Sequence, residues 1–289
     1  NRWWAGGRRL SDPEARGTDP AMPSEKRVLT IAVRELVSHV LRAGDLSFSF
    51  SGPARTAEAV RAHQRVQRRR PADYIAEHPV THDRASDRFI LRIGGRIDGV
   101  LPTAAPPLIE EIKTTNADLA AAVEAQNPLH WGQVKAYAHI YAFDRGLETV
   151  DTRLTYVQLD TGKTRRVEHR FSAADLAAFF DDLVGRYIHW ASTVTAFREV
   201  RDRSLSALGF PYPDYRRGQR QMAVSCYRNV RSGGHLLVQA ATGIGKTMAA
   251  VFPAVKAMGE GLTGKIFYLT ARTTARSASE AAGETLSRQ

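Results

Sequence analysis

The stretch from Gly94 to Thr115 reads GGRIDGVLPTAAPPLIEEIKTT. It holds two short apolar runs of the kind that form buried strands. Each is broken by charge, Asp98 in the first and Glu110, Glu111 and Lys113 in the second. A charge buried without a partner is costly and rarely persists for structural reasons alone. The fold must therefore supply partners for these groups. Strand side chains alternate between faces. Glu111 and Lys113 thus share a face with Ile109, while Glu110 and Ile112 point the other way. Asp98 shares a face with Arg96 and Val100. If the two strands are neighbours, Asp98, Glu111 and Lys113 converge at one end of a sheet. Two carboxylates and an amine suit metal-assisted phosphodiester hydrolysis. Carboxylates bind a hard cation such as Mg²⁺ (or Mn²⁺) through oxygen. Such a cation polarises a phosphate and acidifies a bound water, and the lysine orients that water or stabilises developing negative charge.

The surroundings are consistent with a nucleic-acid substrate. The formal net charge of +11 favours polyanions. The chain's 289 residues allow about two domains. Cys226 is the sole cysteine, which excludes an internal disulfide and an all-cysteine metal site and fits a reducing, cytoplasmic setting. No apolar run is long enough for a membrane span, and the first residues lack the apolar core of a secretory signal. Residues 1–21, rich in Gly, Pro, Arg and Asp, read as a disordered or non-native leader.

Along the chain, helical spacing spans Glu25–Ala43 and Ala54–Arg70, the latter closed by Pro71. LSFSF at 46–50 alternates as a short extended piece. The run RVQRRR at the end of the second helix reads as a solvated basic face. Strand-like runs follow: YIAEHPV, RFILRIG, RIDGVL and LIEEIKTT, with Gly94-Gly95 expected to form a tight turn or bulge between two of them. Leu129–Phe143 reads as a helix. TRLTYVQLD and TRRVEHRFS form a hairpin joined by Thr161-Gly162, and Ala173–Leu208 is a long helix.

GRIDGV followed by EEIK resembles the PD-(D/E)XK nuclease superfamily. The helix segment QVKAY adds Gln133 and Tyr137 in the Gln-x-x-x-Tyr pattern of its RecB-type branch, on one helix face. His63 matches the position of that branch's extra metal-site histidine, and Glu77 a further acidic position. The resemblance covers roughly Val28 to Val200. It implies Asp98, Glu111 and His63 as metal ligands. Lys113 would serve the water or the transition state, and Gln133 and Tyr137 would support the site or touch DNA. Tyr137 also reads as a core residue.

A second pattern begins downstream. HLLVQAATGIGKTMAAVFPAV, from His235, is an apolar strand, a small-residue loop and a helix, the context in which a P-loop match has meaning. Backbone amides of Thr242, Gly243 and Gly245 would cradle phosphates. Lys246 would reach the β- and γ-phosphates of ATP, and Thr247 would hold Mg²⁺. Ala240 replaces the first glycine of the motif. This relaxation is similar to that of many superfamily 2 helicases. YRRGQRQM resembles the Q motif, with Gln219 reading the adenine edge. GKIFYLTARTTARS, a strand running into a polar turn, resembles motif Ia, with Thr270, Arg272 and Thr273 on the DNA backbone. The nearest resemblance is to the DinG/XPD-like group. No acidic box follows Thr273, so the motor lobe is expected to be incomplete and the chain is not expected to unwind DNA.

The expected fold is α/β. A PD-(D/E)XK restriction-endonuclease-like domain over 22–208, a mixed central sheet flanked by helices, precedes an incomplete RecA-like P-loop lobe over 209–289. The expected function is Mg²⁺-dependent cleavage of DNA, single-stranded or at duplex ends, within an ATP-dependent helicase-nuclease of DNA repair or processing. The rival is a catalytically inactive nuclease fold that binds DNA and feeds it to the motor.

Overall fold

A computed structural model of the chain describes residues 26–44, 53–271 and 273–289, with side chains except those of 53–56 and 273–275. The leader, the LSFSF piece, Arg272 and the side chain of Thr273 lie outside the described residues. The chain divides into two units, one ending at Val184 and one beginning at Gly185. The division falls within one long helix, Ala173–Ala207.

The first unit is a mixed six-stranded sheet flanked by helices. Its strands are β1 (Arg27–Ala32), β2 (Ile75–Ala85), β3 (Phe89–Leu101), β4 (Leu108–Thr115), β5 (Thr149–Gln158) and β6 (Thr164–Ser172). Their order is β1-β3-β4-β5-β6, with β2 also paired to β3. The helices are α1 (Val33–Leu41), α2 (Pro53–Gln67), α3 (Leu119–Glu124), α4 (Pro128–Arg145) and the start of α5 (Ala173–Ala207). Leu91, Ile93, Ile97, Ile109, Ile140, Leu154 and Phe180 are fully buried. Helix α4 is buried almost continuously from Trp131 to Ala142, as expected for a helix that is apolar on most of its circumference.

Strand β3 carries the feature that positions the site. β2 runs along one edge of it from Ile90 to Val100. β1 and β4 therefore share the other edge. β1 pairs in parallel with Phe89–Gly94 and β4 pairs antiparallel with only Gly99–Leu101. Residues 95–98 face a fork between the two partners. Beyond it, β4 runs parallel to β5 through all eight of its residues.

Two expectations for this unit are corrected. The helix expected over Glu25–Ala43 is a strand followed by a helix. Val28, Thr30 and Ile31 are β-branched, and β3 supplies them with a distant parallel partner that helical spacing cannot register. Gly94-Gly95 forms no turn, and β3 runs straight through it. Gly95 instead lets α4 approach: a Cβ there would lie 2.5 Å from the Tyr137 hydroxyl oxygen.

The second unit contains α6 (Gln219–Ser232), α7 (Lys246–Gly259) and α8 (Thr273–Ser287). Met248, Phe252, Ala282 and Leu286 form its core, with Leu208 and Phe210 packed against them. The strands expected in HLLVQ and KIFYL are not formed; the described residues of this unit contain no strand. Leu237 is 100% exposed and Leu269 90%. Apolar sequence favours a strand, but a strand exists only where a neighbour pairs its backbone, and no neighbour is present among the described residues. Among the described residues, no helix is long and apolar enough to cross a membrane.

A histidine-aromatic cluster sits where β2, α4 and α5 meet. His139 stacks on Phe180 at 4.3 Å, and His82 meets both rings edge-on. Burial holds both imidazoles below their ordinary pKa, against the opposing pull of Asp144 and Asp181. Burial also pushes His130 down to about 4, with the charge of Lys113 adding to it. A histidine with a depressed folded pKa takes up its proton first in the unfolded chain. Its contribution is intact above the ordinary histidine pKa and is lost as pH falls below it. The stability of His139→Phe relative to wild type, read from urea midpoints, should therefore rise as pH falls below the ordinary histidine pKa.

Candidate active site

The fork in β3 exposes Asp98. The β3–β4 ladder ends at Gly99 paired with Glu110, so Asp98 and Glu111 stand opposite each other one step beyond it. There the Asp98 side chain replaces a ladder bond, its Oδ2 accepting from the Ile112 amide at 2.6 Å. Its other oxygen, Oδ1, lies 3.7 Å from Nδ1 of His63 on α2.

Glu111 is buried beside it. Its Oε1 accepts from the Lys113 ammonium at 2.7 Å. Its Oε2 is buried and has no hydrogen-bond partner. Burial pushes the Glu111 carboxyl up to about 7; Lys113 opposes this and the Asp98 charge adds to it. Lys113 also donates to Oε1 of the buried Gln133 on α4. One turn on, Tyr137 packs under Gly95. Its phenol is held above its ordinary range by burial, then by the charges of Glu111 and Asp98, and its hydroxyl meets the Arg96 backbone. Asp98, Glu111, Lys113, Gln133, Tyr137 and His63 thus lie in one neighbourhood. Next to it, α1, α2, β4 and α4 enclose a cleft of about 600 Å³ that His63, Lys113 and Gln133 line together with Arg34, Arg42 and His130.

Strand parity sends Glu110 to the opposite face, and there the structure reveals partners that no sequence motif marks. Glu110 is 0% exposed. Its Oε2 accepts from Arg70 Nε and from the Tyr74 hydroxyl, each at 2.9 Å. Its Oε1 accepts from Arg70 Nη2 and the Thr155 hydroxyl. Arg70, expected on a solvated basic face, is instead a buried ion-pair partner, because an inward glutamate on a central strand requires a cation. A charged residue of inward parity is the signal that could have predicted such a partner, though not which one. Glu77 is exposed and accepts from Gln67 Nε2 at 3.2 Å.

In the second unit, Gly243 and Gly245 adopt left-handed φ of 86° and 84°, and α7 starts at Lys246. Lys246 donates to the carbonyls of Ala240 and Ala241 at 3.2 and 2.9 Å, so its ammonium folds over the loop. Arg216 donates to the Gly243 carbonyl at 2.6 Å. Gln219 is buried, its Nε2 donating to the Gly245 carbonyl and its Oε1 accepting from the Arg216 amide. Both ends of the Gln219 amide are thus engaged, the Nε2 end on the loop at Gly245 and the Oε1 end on the Arg216 backbone. Thr247 lies 3.5 Å from the Tyr268 hydroxyl, Thr242 is exposed at the loop tip, and Thr270 is exposed in an unpaired stretch.

Among the described residues, no group of three His, Cys, Asp or Glu side chains is arranged to hold a metal ion. No family model matches the chain, and no curated protein matches it. A solved structure described as "Crystal structure of SSO0001" is similar at 16% identity over 54% of this chain and 75% of that chain, with a TM-score of 0.36. A likeness of that strength carries no argument about function.

Proposed function

We propose that the first unit is a divalent-metal-dependent DNA nuclease of the PD-(D/E)XK type. We further propose that the second begins a RecA-like, ATP-binding motor lobe of the DinG/XPD-like kind, the whole serving DNA repair or processing. The observation that carries the nuclease reading is Glu111 Oε2, a buried carboxylate oxygen with no partner, beside Asp98. Such an atom is costly unless something electropositive completes it. The lack of a three-residue cluster among the described residues does not weigh against Mg²⁺, which keeps several waters and needs only one or two carboxylates. Glu111 Oε2, which has no partner, and Asp98 Oδ1, 3.7 Å from His63 Nδ1, are the oxygens that would hold it. When bound, the cation supplies a polarised phosphate and an acidified water. Lys113, held by Glu111 and Gln133, presents its ammonium to the developing negative charge. His63 holds Asp98 from the α2 side, and the cationic cleft residues Arg34 and Arg42 suit a phosphate backbone.

Digestion of single-stranded and duplex DNA in Mg²⁺ or Mn²⁺ tests this reading. Asp98→Ala should lose at least about 10³-fold in rate; equal rates in the two proteins would reject it. A second reading, an inactive nuclease fold that only binds DNA, is favoured by the Lys113–Glu111 ion pair, which partly satisfies the carboxylate without metal. It predicts retained DNA binding with no cleavage in either protein. For the motor lobe, Lys246→Ala should abolish binding of a fluorescent ATP analogue, read by anisotropy, and leave metal-dependent cleavage intact.

A further inference from the structure

We propose that Arg70 and Glu110 are positioning residues for the candidate metal site: their buried ion pair fixes β4 against the turn after α2 and so sets where Glu111 stands relative to Asp98. The inference rests on the nuclease reading above.

A row of side chains makes the connection. His63 and Gln67 on α2 and Arg70 in the turn that continues it follow one another at helical spacing, with the amides of Arg68, Arg69 and Arg70 still bonding back to α2 carbonyls, and Tyr74 follows in the separate turn after Pro71. The first two members touch Asp98 on β3 and the last two touch Glu110 on β4. His63 meets the Asp98 carboxylate. Gln67 donates to the Asp98 carbonyl at 2.9 Å. Arg70 grips Glu110 with two donors, and Tyr74 donates to the same carboxylate. The row therefore holds β3 at Asp98 and β4 at the residue preceding Glu111.

The fork needs such a hold. The β3–β4 ladder has only three residue pairs, and it stops where the two carboxylates begin. Two local features show how closely the row is fitted. Gly99 admits Tyr74, because a Cβ there would overlap the tyrosine hydroxyl. Glu77, which accepts from the same Gln67 amide, is held at φ 53°, a left-handed value that a non-glycine residue adopts when its surroundings impose it. Stability alone is a poor reason for the pair, since apolar residues of similar volume often replace a buried ion pair without loss. A planar, two-donor fork, by contrast, defines distance and direction between the elements it joins.

The test uses the full chain and Mn²⁺ binding measured by calorimetry, so that it does not depend on cleavage. The double variant Arg70→Met, Glu110→Leu removes both charges and leaves neither orphaned. It should unfold cooperatively, as wild type does, yet bind Mn²⁺ about tenfold or more weakly, the loss expected when an outer partner of a ligand is removed. A folded double variant with wild-type Mn²⁺ affinity would overturn the proposal. Should the double variant not fold, Gln67→Met, at a half-buried position of the same row, carries the test. A weaker Kd supports the row, and an unchanged one rejects it. Asp98→Ala run alongside separates the two levels of inference, because unchanged Mn²⁺ binding in that variant would reject the metal site itself.

Discussion

Glu111→Gln should lose metal-dependent cleavage by at least about 10³-fold and yet resist unfolding better than wild type when no metal is present. Both effects come from one atom pair. In wild type, burial and the Asp98 charge push the Glu111 carboxyl up to about 7, while Lys113 recovers part of that cost. A carboxyl with a raised folded pKa binds its proton more tightly in the folded state. The contribution of Glu111 to stability is therefore greatest below the ordinary glutamate pKa, falls as pH rises through the window up to about 7, and stays reduced above it. Glutamine removes the ionisation and keeps an oxygen for Lys113. The gain should be about 1–3 kcal/mol near pH 8, read from urea midpoints without metal. Mn²⁺ should raise the midpoint of wild type and leave that of the variant unchanged. A variant less stable than wild type at that pH would mean that the Lys113 pair outweighs the desolvation of Glu111.

Arg70→Ala should destabilise the first unit by about 3–5 kcal/mol, because it leaves Glu110 charged and fully buried. The Tyr74 and Thr155 hydroxyls would remain as donors, but neither carries charge. Urea denaturation at neutral pH measures the loss. A loss within the range of exposed ion pairs, about 1 kcal/mol or less, would show that water reaches Glu110 once the guanidinium is gone.

These two positions also show what a linear sequence can and cannot carry. Strand parity alone separates Glu111 from Glu110, because alternation of side chains is a local property of extended backbone. The same locality makes α4, the β5–β6 hairpin and α5 legible, since each is a periodic pattern or a pattern closed by its own turn. Gln133 and Tyr137 fall on one face of α4 for the same reason. The α/β character and the alternation of strands and helices were thus determined by the sequence itself.

What tertiary structure decided was pairing. Nothing near Val28 or Thr30 signals that β3 will hold them as a strand, and nothing near Gly94-Gly95 signals that the chain runs straight through to receive Tyr137. The apolar runs of the second unit have strand-like composition but no partner among the described residues, so they form no strand. Arg70 carries no local mark distinguishing it from Arg68 and Arg69, yet it alone of the three pairs with Glu110, forty positions away. Local backbone geometry assigns a residue to a face. Which group waits on that face depends on long-range contacts whose energies appear only when the chain closes on itself, and at this site those contacts include the fork that leaves Asp98 and Glu111 side by side.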